Sequence, residues 1–169
     1  MNKAVMLSIR PEWDYLIAIG QKNIEVRKTC PKIETPFKCN IYCTNSAKHL
    51  LYRSAADGKY RLTKNDGRAA ILQKNGHTIF NGHVIGEFVC DHVMPIFNNT
   101  LLSASIPDEL MLENLSPCLT DREIKEYLGN RSRGYGWHIS DLVIYDTPRP
   151  LSDFGLKRQP QSWCYVKET

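Results

Sequence analysis

The sequence predicts a mixed α+β fold: a small β-barrel of about six strands with two or three helices packed at its ends. Three observations predict it. Short segments of alternating polarity are separated by turns rich in glycine and proline. Helical signals fall between these segments rather than after them. The chain's 169 residues, 42% hydrophobic and 24% charged, suit one well-packed core and leave little room for a second domain.

Residues 4 to 9 alternate, with Val5, Leu7 and Ile9 on one face, and read as a first strand. Arg10-Pro11 follows, and proline suits the first turn of a helix. Trp13, Leu16 and Ile17 then recur at helical spacing until Gly20 offers a stop. Two strands come next, Asn23 to Lys28 and Lys38 to Thr44, separated by a loop with Pro31 and Pro36. Residues 45 to 82 are polar, basic and weakly periodic, and read as an elaborated loop or ragged hairpin inserted in the single domain 1–169. His83 to Val93 carries apolar residues on both faces, as a barrel wall or doubly buried strand requires. A helical stretch is expected after it. Thr120-Asp121-Arg122-Glu123 is a capping box, with Ile124, Tyr127 and Leu128 as the apolar stripe and Gly129 as the C-terminal stop. Two last strands, Tyr135 to Tyr145 and Trp163 to Val166, bracket the proline-marked segment 148 to 160.

The six cysteines are scattered, so free thiols are expected rather than a disulfide scaffold. Cys39, Ile41 and Cys43 share a strand's period and should point into the core together. No CxxC pair completes a tetrahedral set, the five histidines are dispersed, and neither a metal nor a cofactor is expected. No apolar run approaches the roughly 20 residues that span a bilayer, and no cleavable leader is evident, so the expected compartment is the cytoplasm. The net charge of +4 is uneven: residues 1–83 hold 14 Lys and Arg against 6 Asp and Glu, and the remainder 8 against 12. A basic half favours a phosphate-bearing partner, although ordinary solvated faces give the same composition.

Leu7-Ser8-Ile9-Arg10-Pro11, a helix, then Gly20-x-Lys22-x-x-Glu25-x-Arg27 resembles the ASCH family of the PUA-like superfamily. The Val84-Ile85-Gly86-Glu87-Phe88 and Gly136-Trp137-His138 strands fit the same scheme. The resemblance implies a PUA-like mixed barrel over most of the chain. It also implies functions found among such families: RNA binding, reading of modified bases, ribonuclease activity and deacetylation of acetylated cytidine. In the catalytic relatives a lysine at the position of Lys22 is central. In the amidohydrolase a threonine stands three residues after that lysine, where this chain has Glu25, and a carboxylate does not replace an activated hydroxyl.

The residues themselves give the element a chemical meaning. Asn23, Glu25 and Arg27 should share one strand face, about 7 Å apart by strand rise, with Ile24 and Val26 on the other. A carboxylate accepts from an amino group or sugar hydroxyl, and arginine presents a planar fork to phosphate. Ser8 and Arg10 lie just upstream. Arg133, Tyr135 and Trp137 mix charge and rings around two glycines, a composition suited to stacking on a base. Each of these residues also has an ordinary reading, as a structural ion pair or a core aromatic; Trp163 reads as the anchor that closes the barrel. The expected function is an RNA-, single-stranded nucleic acid- or modified-nucleotide-binding module. The alternatives are a small hydrolase with Lys22 and Glu25 as general acid and base, and a protein-interaction adaptor.

Overall fold

A computed structural model describes residues 3–97, 100–101, 108–110 and 114–168. The first strand, β1 (Lys3–Ile9), runs into α1 (Pro11–Ala18), and Gly20 takes a positive φ of 77° that ends the helix. Then follow β2 (Ile24–Arg27) and β3 (Phe37–Cys43). Residues 45 to 82 fold as β4 (His49–Arg53), β5 (Tyr60–Lys64), α2 (Ala69–Lys74) and β6 (Thr78–Ile79). The chain continues through β7 (His83–Cys90), β8 (Val93–Phe97) and β9 (Thr100–Leu101), a 3-10 turn at Asp108–Leu110, and α3 (Asp121–Leu128). It ends with β10 (Arg133–His138), β11 (Ser140–Arg149), a 3-10 turn at Leu151–Phe154, and β12 (Trp163–Lys167).

The strands form three sheets, ordered β11-β7-β3-β1-β12, β2-β10-β8-β9 and β5-β4-β6. The class is mixed α+β as expected. The hydrogen-bonded ladders stop at the sheet edges, so among the described residues the strands do not close into one barrel wall. β1 and β3 pair in parallel, which the intervening α1 and β2 allow, while β12 adds antiparallel to the other side of β1.

One core lies between the sheets. Val5, Leu7 and Ile9 of β1, Cys39, Ile41 and Cys43 of β3, and Ile85 and Phe88 of β7 meet Trp137 there, and Leu51 and Phe80 join from the three-stranded region. A second cluster covers the opposite face of the five-stranded sheet. There Ala4, Met6, Tyr42 and Val84 pack against Phe154 of the second 3-10 turn. This is why Ala4 through Leu7 are all fully buried despite their alternation. A third cluster, Val26, Ile96, Ile124 and Leu128, seats α3 on the outer face of β2, β10 and β8. Its helix start is the expected capping box: Thr120 Oγ1 accepts from the Glu123 amide and Glu123 from that of Thr120.

Three expectations change. Residues 45 to 82 are an ordered sheet with a short helix, held by Leu51, Phe80, Tyr60 and Leu62, which reach the main core. The helical stretch expected after residue 93 is strand at Val93–Phe97, because β8 has β10 to pair with; much of the rest of that segment lies outside the described residues. The single strand expected over Tyr135 to Tyr145 is two, separated at Ile139, with Asp141 at a positive φ of 47° where the β11 register shifts. All six cysteines are free, as expected.

Gly86 exists for a close approach. A Cβ there would lie 2.3 Å from the Val143 carbonyl oxygen and 3.1 Å from Ile144 Cα, both backbone atoms of the irregular β11. Gly86→Ala should therefore destabilise the fold by about 1–3 kcal/mol, read as a lower urea midpoint with an unchanged slope.

Candidate nucleotide-binding site

The Gly20-to-Arg27 element ends in a buried charge cluster. The turn after α1 is closed by Gln21 and Lys22 amides donating to the Leu16 carbonyl, which aims Lys22 inward at 3% exposure. Its Nζ donates to the carbonyls of Ile24 and Pro117, each at 2.7 Å, and lies 3.3 Å from Glu25 Oε2. The same ammonium stands 5.8 Å from the centre of the Trp13 ring. Glu25 Oε1 is 2.9 Å from Arg27 Nη2, so one carboxylate bridges two cations. Arg27 spends its remaining terminal donors on backbone and hydroxyl oxygens: Ser8 O at 3.0 Å, Ser162 O at 3.2 Å and Ser162 Oγ at 3.1 Å.

All four β2 residues are buried because α3 covers the Val26 face and the inter-sheet core covers the other. The polar face is therefore an interior one. Antiparallel pairing sets Trp137 opposite Glu25 and Tyr135 opposite Arg27, which brings these side chains to the same face. Trp137 is fully buried, packs edge-on against Phe37 and lies 6.1 Å from Trp163. Trp163 in turn donates its Nε1 to Thr29 Oγ1.

Asp14 completes the cluster, and sequence reasoning missed it. It sits on the buried face of α1 at 1% exposure, deeper than Trp13 or Leu16. Burial pushes its carboxyl well above the ordinary range. The charges of Glu25 and Glu12 add to this, while the Cys43 thiol and Arg27 guanidinium oppose it. A polar residue inside the helix's apolar stripe was the available signal. Four buried atoms here find no hydrogen-bonding group of the protein by geometry, both Asp14 oxygens, Arg27 Nε and Trp137 Nε1, while Glu25 Oε2 has only the Lys22 ammonium at 3.3 Å.

Of the residues named from the sequence, Lys22, Glu25, Arg27 and Trp137 come together, and Tyr135 and Ser8 border them. Ser8 Oγ donates to the Pro160 carbonyl at 2.7 Å and its amide to Ser162 O, which pins segment 155–162 over the cluster. Arg10 and Arg133 stand apart. Arg10 is exposed at the N-cap of α1, and the Arg133 guanidinium lies 4.5 Å from the Phe97 ring centre at the far end of β10. Asn23 caps another segment, accepting from the Ser116 amide and donating to Asn114 O. An open cavity of about 490 Å³ between Lys3, Phe37, Lys38 and Glu168 lies at another edge of the molecule and shares none of these residues.

No family model matches the chain, and no curated protein does. Solved structures do match. ASCH from Zymomonas mobilis covers 98% of this chain and 88% of its own, with a TM-score of 0.60 at 15% identity. A tyrosine-to-phenylalanine variant of that protein gives 0.60 at 15% identity over 98% and 91%, and a serine-to-alanine variant 0.61 at 16% over 98% and 89%. This chain has an ASCH-like fold. At such identity the likeness concerns the fold alone, so the chemistry of the buried polar cluster is argued from the residues in it.

Asp14 gives the buried cluster a measurable cost. Its folded carboxyl holds a proton more tightly than the unfolded one. The stability it contributes is complete below the unfolded carboxylate range and is lost as pH rises through the elevated folded value. Asp14→Asn should match the parent in acid and exceed it at neutral pH by roughly 2–4 °C in Tm, about 1 kcal/mol for a chain of this size. Calorimetric melts across that pH range check both limbs.

Proposed function

We propose that the buried polar cluster between the larger sheets opens to bind a nucleobase-bearing ligand, either a modified nucleotide or an unpaired base of RNA, and that the chain is a recognition module. The four buried atoms without a hydrogen-bond partner, with Glu25 Oε2 beside them, carry this reading. Leaving such groups unmade costs about 1–3 kcal/mol each, so a fold that retains several together retains them for a partner. Arg27 Nε and Trp137 Nε1 donate, while Glu25 Oε2 and the Asp14 oxygens accept, which is the complement that a base edge needs. Trp13, Trp137 and Trp163 supply ring faces beside them. Lys22 then orients Glu25 and segment 114–118 rather than touching the ligand, since its donors are directed at two carbonyls and a carboxylate. For the same reason no distance here favours a hydrolase built on Lys22 and Glu25, although the two lie 3.3 Å apart.

The polymer reading draws on the inserted sheet. Residues 45–82 hold seven Lys and Arg against two Asp, an excess of five positive charges in a chain whose net is +4. Arg61 and Arg68 pair with Asp57 and Asp66, and Arg53 with Asp146. Lys48, Lys59, Lys64 and Lys74 are exposed and take part in no ion pair among the described residues. β4 and β5 pack on α1, the helix that carries Trp13 and Asp14 to the cluster. Phosphates would run over this sheet while one base enters between the larger ones.

Tryptophan fluorescence titrations with RNA, single-stranded DNA and free nucleosides test the reading. Saturable quenching is expected, with RNA affinity falling steeply with salt and nucleoside affinity much less so. Asp14→Leu, which removes donor and acceptor alike, should bind at least about tenfold more weakly, a loss of roughly 1.4 kcal/mol. Silence of every ligand at low salt, or undiminished binding by a folded Asp14→Leu, refutes the proposal.

A further inference from the structure

The turn between β7 and β8 and the end of β10 bring together groups that the buried cluster does not use. Asp91 and His92 form the turn, and His138 closes β10 with its ring on the strand face opposite Trp137. The His138 amide donates to the His92 carbonyl at 2.9 Å, which ties the turn to the strand end. His138 Nδ1 lies 2.7 Å from Asp91 Oδ1, His92 Nδ1 lies 3.4 Å from Asp91 Oδ2, and His92 Nε2 lies 2.9 Å from Glu109 Oε1. One potential ligand atom from each of Asp91, His92 and His138 falls within 4.8 Å of the other two.

The tautomer of His92 decides what this arrangement does. A carboxylate only accepts, so the contact with Glu109 places the ring proton on Nε2. In the neutral ring Nδ1 is then a lone pair. That nitrogen is buried, receives no hydrogen bond from the protein, and faces a second lone-pair atom, Asp91 Oδ2. Two such atoms repel unless a cation lies between them. The 3.4 Å separation also fits a metal better than a shared proton. Charge-assisted N–H···O bonds run about 2.7–2.9 Å, whereas ligands at about 2.0–2.1 Å around a tetrahedral ion sit about 3.3 Å apart.

We propose that Asp91, His92 and His138 bind a divalent first-row transition metal of the zinc type, with Glu109 orienting His92 by accepting its Nε2 proton. Two imidazole nitrogens and a carboxylate suit such an ion and leave a coordination position for solvent or a ligand. A carboxylate on the far nitrogen of a ligating histidine fixes the tautomer and raises the ring's basicity, and Glu109 stands where that requires. The ligands come from the turn joining two sheets and from a strand end anchored to it by a backbone bond; binding would displace the proton that His138 Nδ1 shares with Asp91 and lengthen that 2.7 Å contact. The site's residues are not those of the buried polar cluster, and the two proposals stand or fall separately.

Chelator-treated full-length chain titrated with Zn²⁺ by calorimetry, and with Co²⁺ by visible spectroscopy, tests the site. One equivalent should bind, raise Tm, and give cobalt d–d bands without thiolate charge transfer, which excludes the six cysteines as ligands. His92→Ala and Asp91→Asn should abolish that binding, and Glu109→Gln, a change at an exposed side chain, should weaken it about 10–100-fold. Melts of the metal-free variants establish that they remain folded. Absence of stoichiometric binding by the parent overturns the proposal. So does binding that His92→Ala, Asp91→Asn and Glu109→Gln all leave unchanged.

Discussion

Glu25 bridging Lys22 and Arg27 is the interaction on which the rest of the molecule hangs. Through Arg27 it reaches Ser8 of β1 and Ser162 at the start of β12, so the small sheet is tied to the edge of the large one. Through Lys22 it reaches Pro117 and thereby holds the segment that leads into α3. A buried ion triad of this kind contributes little net stability, because the desolvation of its charges offsets their attraction. Removing one member is another matter: an uncompensated charge would be left where water cannot reach, at a cost of about 3–5 kcal/mol. The triad thus specifies the arrangement of the sheets more than it strengthens them, and the hydrophobic clusters on either side supply the driving force.

Much of this was legible because period and capping are local properties. Val5, Leu7 and Ile9 marked β1, Pro11 and Gly20 bounded α1, and Thr120 with Glu123 announced α3, each from a few neighbouring residues. The polar face of Glu25 and Arg27 was legible too, but not its burial. Alternation shows that two faces differ, and only the packing of Trp137 and α3 shows that both are covered. Residues 45 to 82 misled because their strands are short and half-buried and owe their order to Leu51 and Phe80 inserting into a core built elsewhere. Asp14 was hidden inside a helical stripe read for its apolar members. Asp91 and His138 lie 47 positions apart, and only the β7–β8 turn folding onto the end of β10 joins them.

The architecture separates tasks by location. The five-stranded sheet is covered on both faces and acts as scaffold, with Gly86 admitting the irregular β11. The inserted sheet carries the chain's positive excess on its surface, where charge acts at a distance and is screened by salt. The interior between the larger sheets carries few charges, nearly balanced, where each hydrogen bond is strong and directional. Surface charge of the first kind gathers phosphates without reading sequence, and interior groups of the second kind discriminate one polar edge from another. A recognition module needs both, and α1 is the element that touches both.

The way into the interior follows from its fastenings. Segment 155–162 lies over the cluster through Ser8 Oγ to Pro160 and Arg27 to Ser162, and Trp163 is held from outside by Thr29. The neutral bonds contribute about 0.5–1.5 kcal/mol net each and those from the Arg27 guanidinium about 1.5–3, and none belongs to a strand ladder. A ligand that lifts this segment forfeits a few such bonds and in return satisfies Arg27 Nε, Trp137 Nε1, Glu25 Oε2 and Asp14. The exchange favours a ligand that can both donate and accept. Asp14 biases the choice further, since a carboxyl that holds its proton tightly can give a hydrogen bond as well as receive one. A ligand of the proposed kind would therefore offer an acceptor beside a donor, and a uniformly anionic one would fit less well beside Glu25 than on the lysines of the inserted sheet.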